Sequence, residues 1–252
     1  FNGEIISNLF SNLHSLNIYE LHRLSNSYQK IANLLAEKAN MLYEKNILKF
    51  KDNYVSKKKR IWLAIGGSNI SKSYRSGYDI VVNLSKKSNK IILNLGVGGG
   101  NTNCWQPLNG CFKSRINTLK FMGIIPEGII VWLASSSDLK NFNKNYAWFE
   151  KLFFINRRDI NKHSKKIEKI LISIRNIFDN KNLPIVFIKL PEIKNKNFKS
   201  RSELLRKAEN QSLKNLKNII PIYTKDFAVN FSPRNEYPKI VDIISEKILD
   251  IK

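Results

Sequence analysis

The chain has 252 residues, of which 42% are hydrophobic, and this suits one α/β domain with an extension. Its 43 Lys and Arg against 20 Asp and Glu give a formal net charge of +23. No apolar run approaches the roughly 18 residues that span a bilayer, and the first residues lack a signal-peptide pattern. The composition therefore excludes a membrane-spanning class and predicts a soluble protein.

The positive charge indicates a polyanionic partner, and nucleic acid is the first candidate because phosphate contacts by Lys and Arg dominate such affinities. AT-rich coding DNA also raises the Lys content, so a compositional origin of part of the excess stays open. Two cysteines, Cys104 and Cys111, are too few for a disulfide scaffold and lack metal-site spacing, so we expect thiols in a reducing compartment. No metal and no cofactor is expected.

Residues 1–58 are predicted to form a helical extension, because apolar residues recur at helical spacing between Ile5 and Leu42. The apolar stripe is broad enough to require burial against the main domain or against a neighbouring protein. Four cations then separate the extension from the first strand, and they are interpreted as a solvated linker or, alternatively, as a nucleic-acid contact. They are Lys57, Lys58, Lys59 and Arg60.

Residues 59–252 alternate short apolar strands with amphipathic helices, which predicts a parallel sheet covered on both faces. The predicted strands are Ile61 to Ile65, Ile91 to Leu95, Gly128 to Leu133, Pro184 to Lys189 and Ile219 to Tyr223. The predicted helices are Lys72 to Ser85, Lys113 to Phe121, Asp159 to Phe178, Ser202 to Leu216 and Glu236 to Leu249.

Two glycine-rich segments follow the first two predicted strands. In Gly66-Gly67-Ser68-Asn69, a serine on a tight turn between strand and helix can present its hydroxyl above the sheet. Gly-Ser turns also end many strands that carry no chemistry. The second segment runs from Gly96 to Asn101 and suits an oxyanion hole or a phosphate loop, although it matches neither a Walker motif nor the dinucleotide fingerprint. A flexible loop remains the alternative.

Together these segments resemble the SGNH hydrolases, within them the sialate O-acetylesterase and carbohydrate-esterase branch. That family has Gly-Gln-Ser-Asn after its first strand, a Gly-Gly-rich loop leading to Trp, and a third strand ending in Trp-x-Gln-Gly-Glu-Ser-Asp. The matching stretches here are Gly66 to Asn69, Gly98 to Trp105 and Trp132 to Asp138, and the likeness covers roughly residues 60–250. It implies a three-layer α/β/α, flavodoxin-like fold with about five parallel strands.

The resemblance also implies roles for particular residues. Ser68 would be the nucleophile, and the oxyanion and loop residues would be Gly67, Gly99, Gly100 and Asn101. The residues facing the substrate would be Trp105, Trp132, Ser135 and Ser136, with the two tryptophans as stacking surfaces for a sugar or, alternatively, as buried core residues.

The sequence departs from the family at the general base. The family activates its serine with a histidine in an Asp-x-x-His segment before the last helix, and the matching segment here places Asn230 at the histidine position and Phe227 at the aspartate position. Asp226 lies one residue out of register. An amide cannot accept the serine proton at neutral pH, so Ser68 is expected to be a vestigial nucleophile. The block Gln-Gly-Glu is also replaced, by Ala134-Ser135-Ser136.

Only three histidines could substitute for the missing base. His163 is predicted on the helix between the third and fourth strands, and His14 and His22 lie in the extension. A solvated position on a helix surface is the preferred interpretation of all three. Delivery of His14 or His22 by an extension folded across the strand ends is the alternative.

Two hypotheses follow for function. The first is a catalytically degenerate esterase-like protein that acts as a basic component of a larger assembly, a ribonucleoprotein such as an organellar, mitochondrial ribosome, with protein partners bound through the N-terminal helices and RNA as a further partner. The second is a serine O-acetylesterase or acyltransferase that acts on an acetylated carbohydrate, with Ser68 as nucleophile.

Overall fold

The structure is a computed structural model of the chain. It describes residues 61–67, 69–71, 78–97, 100–121, 123–134, 138–139, 155–190, 196–223 and 237–251. The predicted extension over residues 1–58 and its boundary with the main domain lie outside the described residues. None of the helices in the described ranges combines the length and the apolar character needed to cross a membrane.

Five parallel strands form one sheet in the order β2-β1-β3-β4-β5. The strands are β1 (Ile61–Gly66), β2 (Ile91–Asn94), β3 (Gly128–Trp132), β4 (Ile185–Ile188) and β5 (Ile219–Ile222). Each end falls within one residue of the prediction, because a strand buried on both faces appears in the sequence as a continuous apolar run. β5 lies at the edge, where Pro221 can be accommodated although it has no backbone N–H to donate.

Helices cover both faces of the sheet, as predicted for a three-layer fold. They are α1 (Ile80–Ser88), α2 (Gly110–Phe112), α3 (Thr118–Phe121), α4 (Ile155–Ile177), α5 (Lys196–Leu213) and α6 (Tyr237–Leu249). A π-helical segment, Lys113–Asn117, joins α2 to α3. The start of α1 was predicted wrongly, since Tyr78 and Asp79 are not helical; the Asp79 carboxylate accepts the N–H of Val82 (3.0 Å) and caps a helix that begins at Ile80.

Alternate residues of the strands point into two separate apolar layers. Leu63 and Ile65 face a layer formed with α2, α3 and α4, whereas Trp62 and Ala64 face a layer formed with α1 and α6. Right-handed crossovers explain this division, because α1 connects β1 to β2 while α4 and α5 lie on connections that run in the opposite direction across the sheet. We call these the α4 side and the α6 side of the sheet.

The two cysteines form a disulfide, which corrects the expectation of free thiols. Cys104 and Cys111 are both buried, and their Cα atoms lie 5.3 Å apart, a usual separation for this bond. The segment between them contains a turn in which Asn109 N donates to the Gln106 carbonyl (2.8 Å), and a second turn just before it is closed by Cys104 N donating to the Asn101 carbonyl (3.0 Å). Two cysteines seven residues apart are thereby brought into contact by local turns that the spacing alone did not indicate.

Candidate active-site crevice

The candidate site lies at the carboxyl ends of the strands, where β1 sits between β2 and β3. The chain leaves β1 toward α1 on one side of the sheet, and it leaves the neighbouring strand β3 toward α4 on the other, so the connections after these two strands diverge. Open α/β sheets bind ligands at such switch points. The elements therefore position the segment after β1, which contains Ser68, at the place in the fold where a ligand is expected.

The turn after β1 is tight and is held against β3. A side chain at Gly66 would collide with the carbonyl oxygen of Trp132, so only glycine allows the two strands to approach this closely. Gly67 donates its N–H to the same carbonyl (3.4 Å), and its own carbonyl accepts the N–H groups of Ile70 (3.1 Å) and Ser71 (3.0 Å). Ser68 itself lies outside the described residues.

Asn69 ties this turn to the last helix. The hydroxyl of Tyr237, the first residue of α6, donates to Asn69 Oδ1 at 3.1 Å. Tyr237 is buried and meets the ring of Trp132 edge-on, with centroids 6.3 Å apart. The start of α6 is thus fixed beside the serine turn. Asp226 and Asn230, which precede α6 in the chain, lie outside the described residues.

Asn94, at the end of β2, connects the serine turn to the second loop. Its Nδ2 donates to the Ile70 carbonyl (2.9 Å), and its Oδ1 accepts the N–H of Gly96 (2.9 Å). Val97 N then donates to the Gly66 carbonyl at 2.9 Å. Asn94 is fully buried with both ends of its amide paired, so it fixes the relative position of the two loops. Asn94 is not among the predicted site residues, although an amide that ends an otherwise apolar strand is a signal present in the sequence.

The glycine-rich loop uses its own amides internally. Gly100 N donates to the Val97 carbonyl at 2.8 Å, so it is not available as an oxyanion donor, which corrects the role expected for Gly100. Asn101 Oδ1 accepts the N–H of Cys104 at 3.0 Å and acts as a local turn residue. The next amide, Thr102 N, is directed at both oxygens of the buried Asp138 carboxylate (3.2 Å each). Gly99 lies outside the described residues.

Neither tryptophan is a stacking surface. Trp105 and Trp132 are both fully buried. The prediction that they face the substrate is therefore wrong, and the structure agrees with the alternative that they are buried core residues. Trp105 Nε1 donates to the Gly66 carbonyl at 3.2 Å from the α4 side, whereas Trp132 packs against Tyr237 on the α6 side. The two rings therefore support the serine turn from opposite faces of the sheet. Of the remaining predicted site residues, Ser135, Ser136 and Lys57 to Arg60 lie outside the described residues, as do His14 and His22.

His163 is buried, which corrects the expectation of a solvated histidine. It lies on α4 with about 9% of its surface exposed, and burial, followed by the nearby Lys166 charge, lowers its pKa to about 4. The imidazole is therefore neutral at pH 7. Lys166 holds the glycine-rich loop, since its Nζ donates to Asn103 Oδ1 (2.6 Å) and its carbonyl accepts from Gln106 Nε2 (3.0 Å).

A second buried ionisable group lies on α5. Glu209 is almost inaccessible, and its carboxylate accepts the N–H of Leu190, just beyond the end of β4, at 2.9 Å. Burial raises the pKa of Glu209 to about 8, against the opposing effects of the Leu190 hydrogen bond, Lys189 and Arg206. Glu209 also interacts electrostatically with Asp138. Within the described ranges, no group of three or more His, Cys, Asp or Glu residues could hold a metal ion.

Comparison with solved structures identifies the fold, whereas no family model and no curated protein matches the chain. A carbohydrate acetylesterase from Xanthomonas citri superposes with a TM-score of 0.53 at 13% identity over 75% of this chain and 54% of its own, so the chain spans about half of that protein. A protein from Arabidopsis thaliana gives 0.52 at 8% identity, covering 77% of this chain and 99% of its own.

A third solved structure, described as a carbohydrate esterase whose active site displays divergent catalytic and non-catalytic binding functions, gives a TM-score of 0.51 at 13% identity. It covers 77% of this chain and 69% of its own. With the strand order and the position of the serine turn, these likenesses establish that the chain has the SGNH-hydrolase fold. The fold implied by the sequence motifs is confirmed.

Proposed function

We propose that the crevice beside β1 and β3 is a binding site for an O-acylated carbohydrate, with Ser68 facing the ester. The observation that carries this proposal is the hydrogen-bonded turn from Gly66 to Ser71, which reverses the chain at the switch point of the sheet. The likeness to carbohydrate esterases adds support at the level of fold. Asn94 and Tyr237 hold the turn from two directions, as a preorganised site requires.

The chemistry of the sequence argues against rapid hydrolysis at this site. Asn230 occupies the position of the family's histidine and cannot accept a proton from Ser68. The described imidazole, His163, is enclosed on α4 and has a pKa of about 4, so it would be a weak base even in contact with the serine. In a serine protease, loss of the histidine alone costs on the order of 10⁶ in kcat, about as much as loss of the whole triad. Ester binding without turnover is therefore the expected activity.

Hydrolysis of an aryl acetate tests this proposal. We expect the wild type to be no faster than Ser68→Ala, because a serine without a base contributes little. Restoring the family residues with Phe227→Asp and Asn230→His is expected to raise kcat/KM by about 10²-fold or more, the usual contribution of a positioned base. The matched control adds Ser68→Ala to this pair and should remove the gain.

Other outcomes are equally informative. Wild-type turnover that Ser68→Ala abolishes would identify a working O-acetylesterase or acyltransferase with a different base, the second hypothesis from the sequence. If, in addition to showing no turnover, the wild type binds an acetylated oligosaccharide no better than its deacetylated form in calorimetry, the ester site itself is excluded.

A second candidate function is that of a basic component of a ribonucleoprotein, such as a mitochondrial ribosome. The observation that favours it is the net charge of +23, which an ester site for a neutral sugar does not require.

A further inference from the structure

The cationic side chains are unevenly distributed between the two helical layers. The 41 residues of α4 and α5 contain twelve Lys and Arg and four Asp and Glu, whereas the 22 residues of α1 and α6 contain four and two. Two of the four acids on α4 and α5, Asp159 and Glu209, are buried, as is one of the twelve cations, Arg175. Burial therefore removes a larger share of the acids than of the cations from the outer surface.

On α4 the exposed lysines form a continuous stripe. Lys162, Lys165 and Lys169 are exposed and recur at intervals of three and four residues, so they lie along one face of the helix. Lys166 lies among them but is half-buried, with its Nζ bonded to Asn103. Burial, and then the charge of Lys162, lowers the pKa of Lys166, which indicates crowding of positive charge at this position. We call the three exposed residues the α4 lysine stripe.

Amides, rather than apolar residues, accompany this stripe. Asn161 and Gln211 are exposed and hydrogen-bonded to each other at 2.8 Å, which joins α4 to α5 at the surface. Among the large apolar residues of these two helices whose side chains the structure describes, only Ile172 is exposed, at 39%. Protein interfaces are centred on buried aromatic and apolar anchors, whereas phosphate backbones are contacted by Lys, Arg, Asn and Gln. The composition of this surface fits a nucleic acid rather than a protein.

From this distribution we infer that the α4 lysine stripe, with the adjoining face of α5, is a binding surface for the phosphodiester backbone of a nucleic acid. Lys162 to Lys169 span about 10 Å along the helix axis, a length over which a duplex presents about six phosphate charges. The inference rests on the second candidate function and specifies its surface. It is independent of Ser68 and of the ester site. It also differs from the sequence prediction, which placed the nucleic-acid contact at Lys57 to Arg60.

The test measures binding of the full chain to a labelled 20-nucleotide single-stranded RNA by fluorescence anisotropy across salt concentrations. Replacing the stripe with Lys162→Gln, Lys165→Gln and Lys169→Gln should weaken binding about tenfold or more near 0.1 M salt. It should also reduce the magnitude of the slope of log affinity against log salt by about 2, because each lost phosphate contact removes roughly 0.7 for single strands.

The matched control makes the same change of charge on the α6 side with Lys86→Gln, Lys239→Gln and Lys247→Gln, all at exposed positions. It should leave affinity and slope close to those of the wild type. A second control, with arginine at the three stripe positions, should bind like the wild type, and this separates loss of charge from damage to the helix.

Equal losses in the two glutamine triples would overturn the inference, because binding would then follow net charge and not this surface. The absence of a salt slope, or binding to anionic lipid vesicles in place of RNA, would also overturn it. A DNA strand of the same length distinguishes the two sources of phosphodiester. None of these outcomes changes the aryl acetate assay, so the two proposals fail separately.

Discussion

The helices on both faces of the sheet bury apolar side chains against the strands, but their outer surfaces differ in charge. On the α6 side, α1 and α6 pack against Trp62 and Trp132, and two exposed ion pairs, Lys87 with Asp242 and Lys247 with Asp250, offset part of the positive charge. On the α4 side, the outer surface is cationic, and the buried ionisable groups include His163 and Glu209.

The two sides of the sheet also differ in what their charged groups cost in stability. A buried carboxyl and a buried imidazole both reduce stability at some pH, and like charges along a helix repel one another, so the α4 side carries costs that the α6 side does not. Natural folds tolerate such costs where a site or a partner requires them. The α6 side fixes Tyr237 beside the serine turn. The costs on the α4 side agree with the proposal that its outer surface binds a nucleic acid.

The largest expected effect on the free energy of unfolding comes from truncating a buried side chain of α6. Ile244 is fully buried on α6, so Ile244→Ala should lower the free energy of unfolding by about 2–5 kcal/mol through lost burial and a residual cavity. The control on the same helix is Leu249→Ala, which removes a side chain that is 57% exposed and should cost well below about 1 kcal/mol. Urea unfolding measures both values. Equal costs would mean that α6 does not pack on the sheet as described.

A second effect, of intermediate size, is the dependence of stability on pH, which comes from two buried groups on the α4 side. The pKa of Glu209 is about 8 in the folded protein, above its ordinary value of 4.5, so the folded state binds this proton more tightly than the unfolded state. Its contribution to stability is therefore complete below about pH 4.5 and is lost as pH rises toward 8. The pKa of His163 is lowered to about 4, so its contribution has the opposite sign and is lost as pH falls from about 6.5 to 4.

Glu209→Gln isolates the first of these effects, because the amide oxygen can still accept from Leu190 N while the charge is removed. The variant should match the wild type near pH 5 and exceed its unfolding free energy near pH 8.5 by roughly a few kcal/mol, since one pKa unit corresponds to about 1.4 kcal/mol. His163 is present in both proteins and cancels in the difference. Glu203→Gln, at an exposed position of the same helix, is the matched control for the loss of one carboxylate. A constant difference between wild type and Glu209→Gln across this range would contradict the raised pKa.

The sequence predicted the framework well because the framework is encoded locally. Each strand appears as a short apolar run, and the amphipathic spacing identified the long helices, although α4 begins at Ile155 and not at Asp159, and α5 at Lys196 and not at Ser202. The cap of α1 by Asp79 was not predicted, because the helix was predicted to begin earlier, at Lys72. An aspartate three residues before Val82 is the signal in the sequence for this cap.

The arrangement of the site depends on contacts between residues far apart in sequence, and these were not predictable. Asn94 meets Ile70, and Tyr237 meets Asn69 across 168 positions of the chain. The burial of Trp105 and Trp132 also depends on which face of the sheet each loop crosses. A glycine-rich loop similarly indicates amides that can approach a ligand, but only the fold shows that the Gly100 amide is already bonded to Val97.

The smallest effects should differ in sign between the two sides. Lys169 follows Lys165 and Lys166 at spacings of four and three on α4, so Lys169→Gln removes repulsion and should raise the free energy of unfolding by a few tenths of a kcal/mol, about 0.2–0.5, at low salt. Lys87→Gln removes the partner of Asp242 and should lower it. Both differences should vanish in about 0.5 M salt, where exposed charges are screened over a few ångströms. Two shifts of the same sign in low-salt urea titrations would mean that the two surfaces do not differ in electrostatic balance, and the case for a charged face on α4 would then depend on RNA binding alone.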